Sequence, residues 1–399
     1  MANYDFSQVT GVKDSLVVHS SSGKKILCLE VENAGEELSK QVDEKFNSEI
    51  ADDYLFKYRF VRDEAGEIDQ EKLLWSVDWH LGNDREEKLI STTKLQLSDS
   101  FGSRMMAYLN ERYNPGVFLF TMILVVFTLF RGVQGLENFE WSGDIYLAAG
   151  IMIIMQWFFY LLLRVFDEHK DWDTDHRFFP ERILSQGLID LSDLRKAGVL
   201  STVIVFGLAF YIGLDMVIHS IIVFIYALLM LKEFFIADWL KERMFLYGIS
   251  HNFIIFLVMH WGILACYMAL GKDLDYGDLK IHMLALSMNA FFFSLEVARK
   301  VRLPQYEKPE VDTYSQVIGM KNTVLLAIFV QAFSFACFYF SGVPVGVIAW
   351  SVMIGVFLIV SVGASIKLLK KPEKVAAEKL VDPFSLTFIV FMATVIAAV

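Results

Sequence analysis

From about residue 115 onward the chain is dominated by nine apolar stretches, each of a length that crosses a bilayer as a helix. They run approximately over 116–133, 145–166, 198–215, 217–235, 248–270, 281–298, 323–341, 344–366 and 382–398. Hydrocarbon offers no hydrogen bonds to the backbone, so helices are the expected form. The third and fourth stretches are split only around Gly213-Leu214-Asp215, and the seventh and eighth by Ser341-Gly342-Val343-Pro344. Each pair is therefore expected to be a tight helical hairpin. Composition agrees, with 55% of the 399 residues hydrophobic and a mean hydropathy of +0.44. The expected fold is an all-α polytopic membrane protein of about nine transmembrane helices, embedded in a lipid bilayer and preceded by a small α+β soluble domain.

Residues 1–100 read as that soluble domain, 101–114 as an amphipathic lead-in, and 115–399 as the membrane domain. Lys25–Val31 and Tyr54–Val61 have the composition of strands, and Leu73–His80 and Lys88–Leu97 are expected to be further strands. Glu36–Ser48 is expected to be a helix. Trp75, Trp79 and His80 fit an ordinary small core. In Ser100–Asn114, Met105, Met106 and Leu109 fall on one side, which suits a helix lying on a membrane surface. No motif in the first 100 residues assigns them a task; regulation, recruitment of a protein partner and covering a cytoplasmic mouth are all open. This region carries most of the formal net charge of -11, a sign that argues against nucleic acid as a partner. The start, MANYDFSQ, is polar and acidic and is read as carrying no cleavable signal peptide. Cys28, Cys266 and Cys337 lie far apart and give neither a zinc spacing nor a disulfide framework.

Lysine and arginine are distributed unevenly between the loops. Those after the second, fourth, sixth and eighth stretches are rich in them, whereas the opposite loops hold only Arg131, Lys272 and Lys280. The positive-inside bias predicts that the N-terminus and the even-numbered loops are cytoplasmic and that the C-terminus lies on the other side.

Two polar clusters flank this expected cytoplasmic face. After the second stretch come Asp167, Asp171 and Asp175, at i, i+4 and i+8, which stack on one face of a helix. Three aligned carboxylates repel one another, and a cation relieves that; Mg²⁺ takes a few carboxylates together with water and substrate phosphates. A solvated acidic helix end is the plain alternative. Gln156, Tyr160, Leu163 and Asp167 share a face, so a polar stripe leads up to the acids. After the sixth stretch, Asn289, Phe293, Glu296 and Lys300 also share a face, followed by Arg299 and a loop with Glu307, Glu310, Asp312 and Tyr314. An Asn inside a membrane helix and an acid near its end are expected to face the protein interior or a wet cavity. Carboxylates with nearby Arg and Lys on both loops suit a polyanion, held through bridging metal and direct cation contacts. His169 and His176 read as solvated loop residues, and His219, His251, His260 and His282 show no paired ligand spacing.

These residues resemble the UbiA superfamily of intramembrane prenyltransferases over about 110–399. The family's first motif, Asn-Asp-x-x-Asp-x-x-x-Asp followed by Arg-Pro-Leu-x-x-Gly, is matched by Asp167-Glu168-x-x-Asp171-x-x-x-Asp175 and by Arg182-Ile-Leu-Ser-Gln-Gly187. Asp167 stands where the family has Asn, and Ile183 where it has Pro. In the second motif Glu296 takes the place of the first acid and Lys300 that of the second. Tyr314–Gly319 resembles the segment before the seventh helix.

The resemblance implies Mg²⁺-dependent transfer of a prenyl group from a polyprenyl diphosphate donor to a small-molecule acceptor, aromatic or a quinone precursor. It implies catalytic roles for Asp171, Asp175 and Glu296, and metal ligation by Asp167, Asp171, Asp175, Glu296 and Asp312. Arg164, Lys170, Arg182, Asn289, Arg299, Lys300, Tyr314 and Gln156 would contact the diphosphate and acceptor. The same fold would also serve a terpene cyclase or a transferase with a polyprenyl phosphate acceptor. A transporter would instead show an internal repeat and charges near the bilayer midplane.

Overall fold

A computed structural model describes residues 9–46, 48, 51–63, 65–83, 95–307, 313–372 and 377–399. The chain divides into two compact units: Met1–Pro115 with Arg164–Val199, and Gly116–Leu163 with Leu200–Val399.

In the first unit a three-stranded sheet has the order β1 (Val12–His19), β2 (Lys25–Val31), β3 (Asp53–Lys57). β1 and β2 are antiparallel, whereas β2 and β3 are parallel and joined through α1 (Glu36–Lys45). Strand side chains alternate between faces. Leu27, Leu29, Val31, Tyr54 and Phe56 accordingly pack with Leu38 and Val42 of α1. Ile26, Cys28 and Leu55 pack on the other side with Leu73 and Val77 of α2 (Gln70–Gly82). Burial on both faces explains why β2 reads as a nearly unbroken apolar run.

Leu73–His80, expected to be a strand, lies within helix α2. Leu73 and Val77 are four apart, a helical repeat, and the Asp69 carboxylate caps the helix by accepting from the Lys72 N–H at 3.1 Å. The strand expected at Tyr54–Val61 stops at Lys57, β1 was not anticipated, and most of Lys88–Leu97 lies outside the described residues. The lead-in forms α3 (Phe101–Arg112). Its Met105, Ala107, Tyr108 and Leu109 are covered by Val165, Ile183, Leu184, Leu188 and Trp172 of the acidic segment. That segment holds the last turns of α5 (Gly143–Lys170), the short α6 (Trp172–Phe178) and the start of α7 (Leu191–Ile212).

Among the described residues, nine helices are long and apolar enough to cross a membrane. They are α4 (Pro115–Glu137), α5, α7, α8 (Leu214–Leu231), α10 (Met244–Ala269), α11 (Leu279–Arg299), α12 (Tyr314–Phe340), the continuous span Val347–Lys370 and α15 (Val381–Ala398). A short α9 (Ala237–Lys241) precedes α10, and the eighth span comprises α13 (Val347–Val356), a π-helical turn and α14 (Gly363–Lys370). The chain is thus an integral multi-pass membrane protein of helical spans with a small sheet near its N-terminus. Gly213 alone separates α7 from α8, and residues 341–346 separate α12 from α13, as the two hairpins require.

In the second unit α11 packs along α12 and α10, and α10 against α8. Phe291 of α11 lies 4.8 Å from Phe388 and 4.5 Å from Phe391 of α15 by ring centroids, and 5.1 Å from Phe335 of α12. Phe291 is therefore a packing residue. All three cysteines are buried and unpaired.

Candidate functional site

Among the described acids of the first unit, Glu168 is the most deeply placed, with 2% of its side chain exposed. Its Oε1 accepts from Arg112 Nε at 2.8 Å, from Arg164 Nε and Nη2 at 2.9 and 2.7 Å, and from the Tyr108 hydroxyl at 3.2 Å. A buried carboxylate is tolerated when it is paired and hydrogen-bonded, and this one is satisfied from two helices. Asp175 joins the same network through Arg112 Nη2 at 3.0 Å and Arg182 Nη1 at 2.6 Å. The Arg182 guanidinium also stacks 3.7 Å from the Phe179 ring centroid. Burial, then the adjacent Arg112, lower the Arg182 pKa, opposed by Asp175.

The three aligned aspartates therefore differ in kind. Asp175 is committed to two arginines. Asp167 is 56% exposed and reaches Arg164 only at 3.8 Å. Asp171 keeps contact with water, yet the surrounding chain desolvates its carboxyl and raises its pKa; Lys170 opposes this and Asp175 adds to it. Lys170 lies half-buried beside Asp171, at the end of α5. Asp167 and Asp171 thus stand one helical turn apart with oxygens available, on a frame of half-buried arginines. No three His, Cys, Asp or Glu side chains among the described residues are placed to hold an ion together. The donor set fits an ion that takes two carboxylates and keeps most of its water, as Mg²⁺ does with phosphate ligands; Asp175 is not an open ligand in this arrangement.

Gly187 closes the segment. Its φ of 77° and the Arg59 side chain against the position of a Cβ leave room only for glycine. Arg59 in turn pairs with Asp190. His176, expected in solvent, is buried: Nδ1 donates to the Trp172 carbonyl at 2.8 Å and the ring lies 3.9 Å from Trp172. Burial first, and the charge of Lys57 second, depress its pKa to about 3.

The second unit holds the other set. Both Glu296 oxygens are taken, Oε2 by Arg299 at 2.5 Å and Oε1 by Lys300 at 3.2 Å. Lys300 lies 5.7 Å from the centroid of the buried Tyr314 ring, which meets Phe293 edge-on. Asn289 accepts from Asn252 Nδ2 of α10 at 2.8 Å. Gln156 is fully buried, and neither end of its amide has a protein partner among the described residues. A buried amide left open in this way calls for water or a ligand. The Tyr160 hydroxyl, one turn along α5, is in the same position. Asp312 and Glu310 lie outside the described residues. Glu307 accepts from Thr313 and Ser315 at 2.7 and 2.6 Å and so fixes the start of α12.

Several contributors were not anticipated. Arg112, Tyr108 and Glu111 come from the lead-in helix, where Glu111 accepts from the Ile183 N–H at 3.1 Å. Asn252 and Gly248 come from α10, and a Cβ at Gly248 would collide with the Tyr314 hydroxyl. The only signal available for Arg112 was the polar side of an amphipathic helix.

No family model matches the chain, and no curated protein matches it. Among solved structures, one of a digeranylgeranylglyceryl phosphate synthase in membranes aligns over 74% of this chain and 98% of that one, with a TM-score of 0.47 and 18% identity. At that similarity the likeness assigns no activity to this chain.

Proposed function

We propose that this protein transfers a prenyl group within the membrane, from a polyprenyl diphosphate to a small-molecule acceptor that is aromatic or a quinone precursor. The observation that carries the reading is the pair of open carboxylates, Asp167 and Asp171. They stand at the end of an apolar span, in the motif spacing, on a scaffold that commits the neighbouring Glu168 and Asp175 to arginines. Asp167 and Asp171 would hold Mg²⁺, which when bound neutralises charge on the diphosphate. Lys170 and Arg164 add positive charge beside them. Arg112 and Arg182 hold Asp175 and so fix the segment rather than the substrate.

In the second unit, the Glu296-Arg299-Lys300 turn carries one acid and two bases, a balance suited to phosphate oxygens. Lys300 in place of a second acid also favours a second reading, in which the acceptor is itself a phosphorylated lipid. Gln156 and Asn289 supply polar groups within largely apolar spans, as positioning of an acceptor requires. The lysine and arginine bias of the loops supports a cytoplasmic N-terminus and motif loops.

The test is release of diphosphate from geranyl, farnesyl and geranylgeranyl diphosphate by the purified protein, with Mg²⁺ or with EDTA, beside Asp171→Ala. Metal-dependent release, lost in the variant, is the expected result, and products with candidate acceptors are then identified by mass. Absence of both binding and release for all three donors would remove the allylic-diphosphate reading.

A further inference from the structure

A cavity of about 500 Å³ in the second unit lies among α8, α10, α11 and the loop before α11. Its walls are largely apolar, with Ile218, Ile222 and Phe256 among them, while Asp215 and Asp273 line it at exposed positions. Two of its histidines, His260 of α10 and His282 of α11, face each other with His260 Nε2 3.0 Å from His282 Nδ1. Their outer nitrogens are also engaged. His260 Nδ1 lies 3.0 Å from the Phe256 carbonyl oxygen, and His282 Nε2 lies 2.8 Å from that of Tyr276.

A carbonyl oxygen only accepts, so both outer nitrogens carry hydrogen. A neutral imidazole has a single N–H. Two neutral rings would then point bare lone pairs at each other across 3.0 Å, with nothing to bond them. We infer that His260 and His282 hold one further proton between them, so that the pair is a proton-binding site of net charge +1. With that proton in place all four ring nitrogens are satisfied, the condition under which a partly buried charge is tolerated.

The titratable groups that face the pair around the cavity are Asp215 and His219 of α8 and Asp273 and Tyr276 of the loop. His219 donates Nε2–H to the Leu257 carbonyl at 3.1 Å and offers the pair no hydrogen bond. Among the described residues no lysine or arginine lines the cavity, so the two aspartates supply the compensating charge, and their exposed positions give the proton a route to water. Loss of the proton leaves two N–H groups for three contacts, so that either the bond between the rings or one of the bonds to the Phe256 and Tyr276 carbonyls is given up, and the first turn of α11 is held less firmly to α10.

The test uses the full chain in lipid nanodiscs, labelled with ¹⁵N-histidine and followed by NMR between about pH 5 and pH 9. At the acid end, His260 Nε2 and His282 Nδ1 should both resonate between the positions of protonated and bare nitrogen. On raising the pH they should move together in one step. In His282→Leu the His260 Nε2 signal should move to the bare-nitrogen position at every pH above the ordinary histidine range. At a single pH below the step, amides of residues 281–285 should exchange about tenfold faster in that variant, the scale of one charge-assisted hydrogen bond. Facing nitrogens that are both bare even at pH 5 in the wild-type protein, or that titrate in two independent steps, would overturn the inference. The wild-type series decides this without any variant.

Discussion

Arg112 Nη2 lies 3.0 Å from Asp175 Oδ2, and the same guanidinium gives its Nε to Glu168. One side chain from the helix that precedes the first span therefore holds two acids of the segment after the second. Arg112→Ala should leave Glu168 to Arg164 and Tyr108, and Asp175 to Arg182. Breaking a buried pair from one side costs about 3–5 kcal/mol, and the remaining partners place this variant near the lower figure. Thermal unfolding in detergent should show a clear drop in melting temperature. Arg112→Lys should recover only part of it, because an ammonium cannot present two directed N–H groups in a fork.

Asp167→Asn and Asp171→Asn should separate from Asp175→Asn. The first two sit at exposed positions, and among the described residues the 3.8 Å contact of Asp167 with Arg164 is their ion pair, so each should change stability by no more than about 0.5 kcal/mol. On the proposed reading each should lower diphosphate release by about a hundredfold, a large effect for loss of one oxygen charge near a metal. Asp175→Asn should lower the melting temperature as well, because Arg112 and Arg182 lose their shared partner. Melting temperatures beside donor turnover for the three variants decide this; a melting temperature for Asp175→Asn equal to wild type would contradict the frame described above.

His176 makes stability fall on the acid side. Its folded pKa, about 3, lies below the ordinary histidine value of 6.5. The unfolded chain therefore binds more protons between those values, and stability rises with pH across that window. By pH 4 the loss relative to pH 7 should be about 3 kcal/mol from this group. His176→Phe keeps the ring against Trp172 and removes the titration. Its melting temperature should vary less than that of wild type between pH 7 and pH 4.

The nine spans were legible because length and hydrophobicity alone decide whether a segment can lie in hydrocarbon. The acidic row was legible because Asp167, Asp171 and Asp175 keep helical spacing. What spacing could not tell was which of them stays open, since that depends on Arg112, which is 56 residues from Glu168 and 63 from Asp175. Within Gln70–Gly82, Trp75, Val77 and Trp79 alternate and are residues that strands favour, whereas the signals for a helix are the Asp69 cap and the four-residue spacing of Leu73 and Val77. His260 and His282 sit on two different helices, so no repeat within one helix could pair them. For Arg112 and for the histidine pair the missing information was a contact between segments distant in sequence; for α2 it was a local cap.

Lys57 offers the last test. It is buried, and its only hydrogen bond among the described residues is to Ser76 Oγ at 3.1 Å. Burial lowers its pKa to about 8 from the ordinary 10.5, so at neutral pH the fold carries a largely charged amine in its interior. The unfolded chain binds more protons between about 8 and 10.5, and wild-type stability should rise with pH through that range. Lys57→Met keeps the length and volume of the side chain without the charge. It should raise stability at pH 7 by about 1–4 kcal/mol, the range seen when well-packed apolar groups replace buried ions. It should also flatten the alkaline part of the profile. The charge on Lys57 is one cause of the low His176 pKa, so the variant should move that pKa upward, which ¹⁵N-histidine spectra would report directly. A Lys57→Met protein that is less stable at pH 7, with its His176 signal unmoved, would show that the amine is compensated by something other than Ser76.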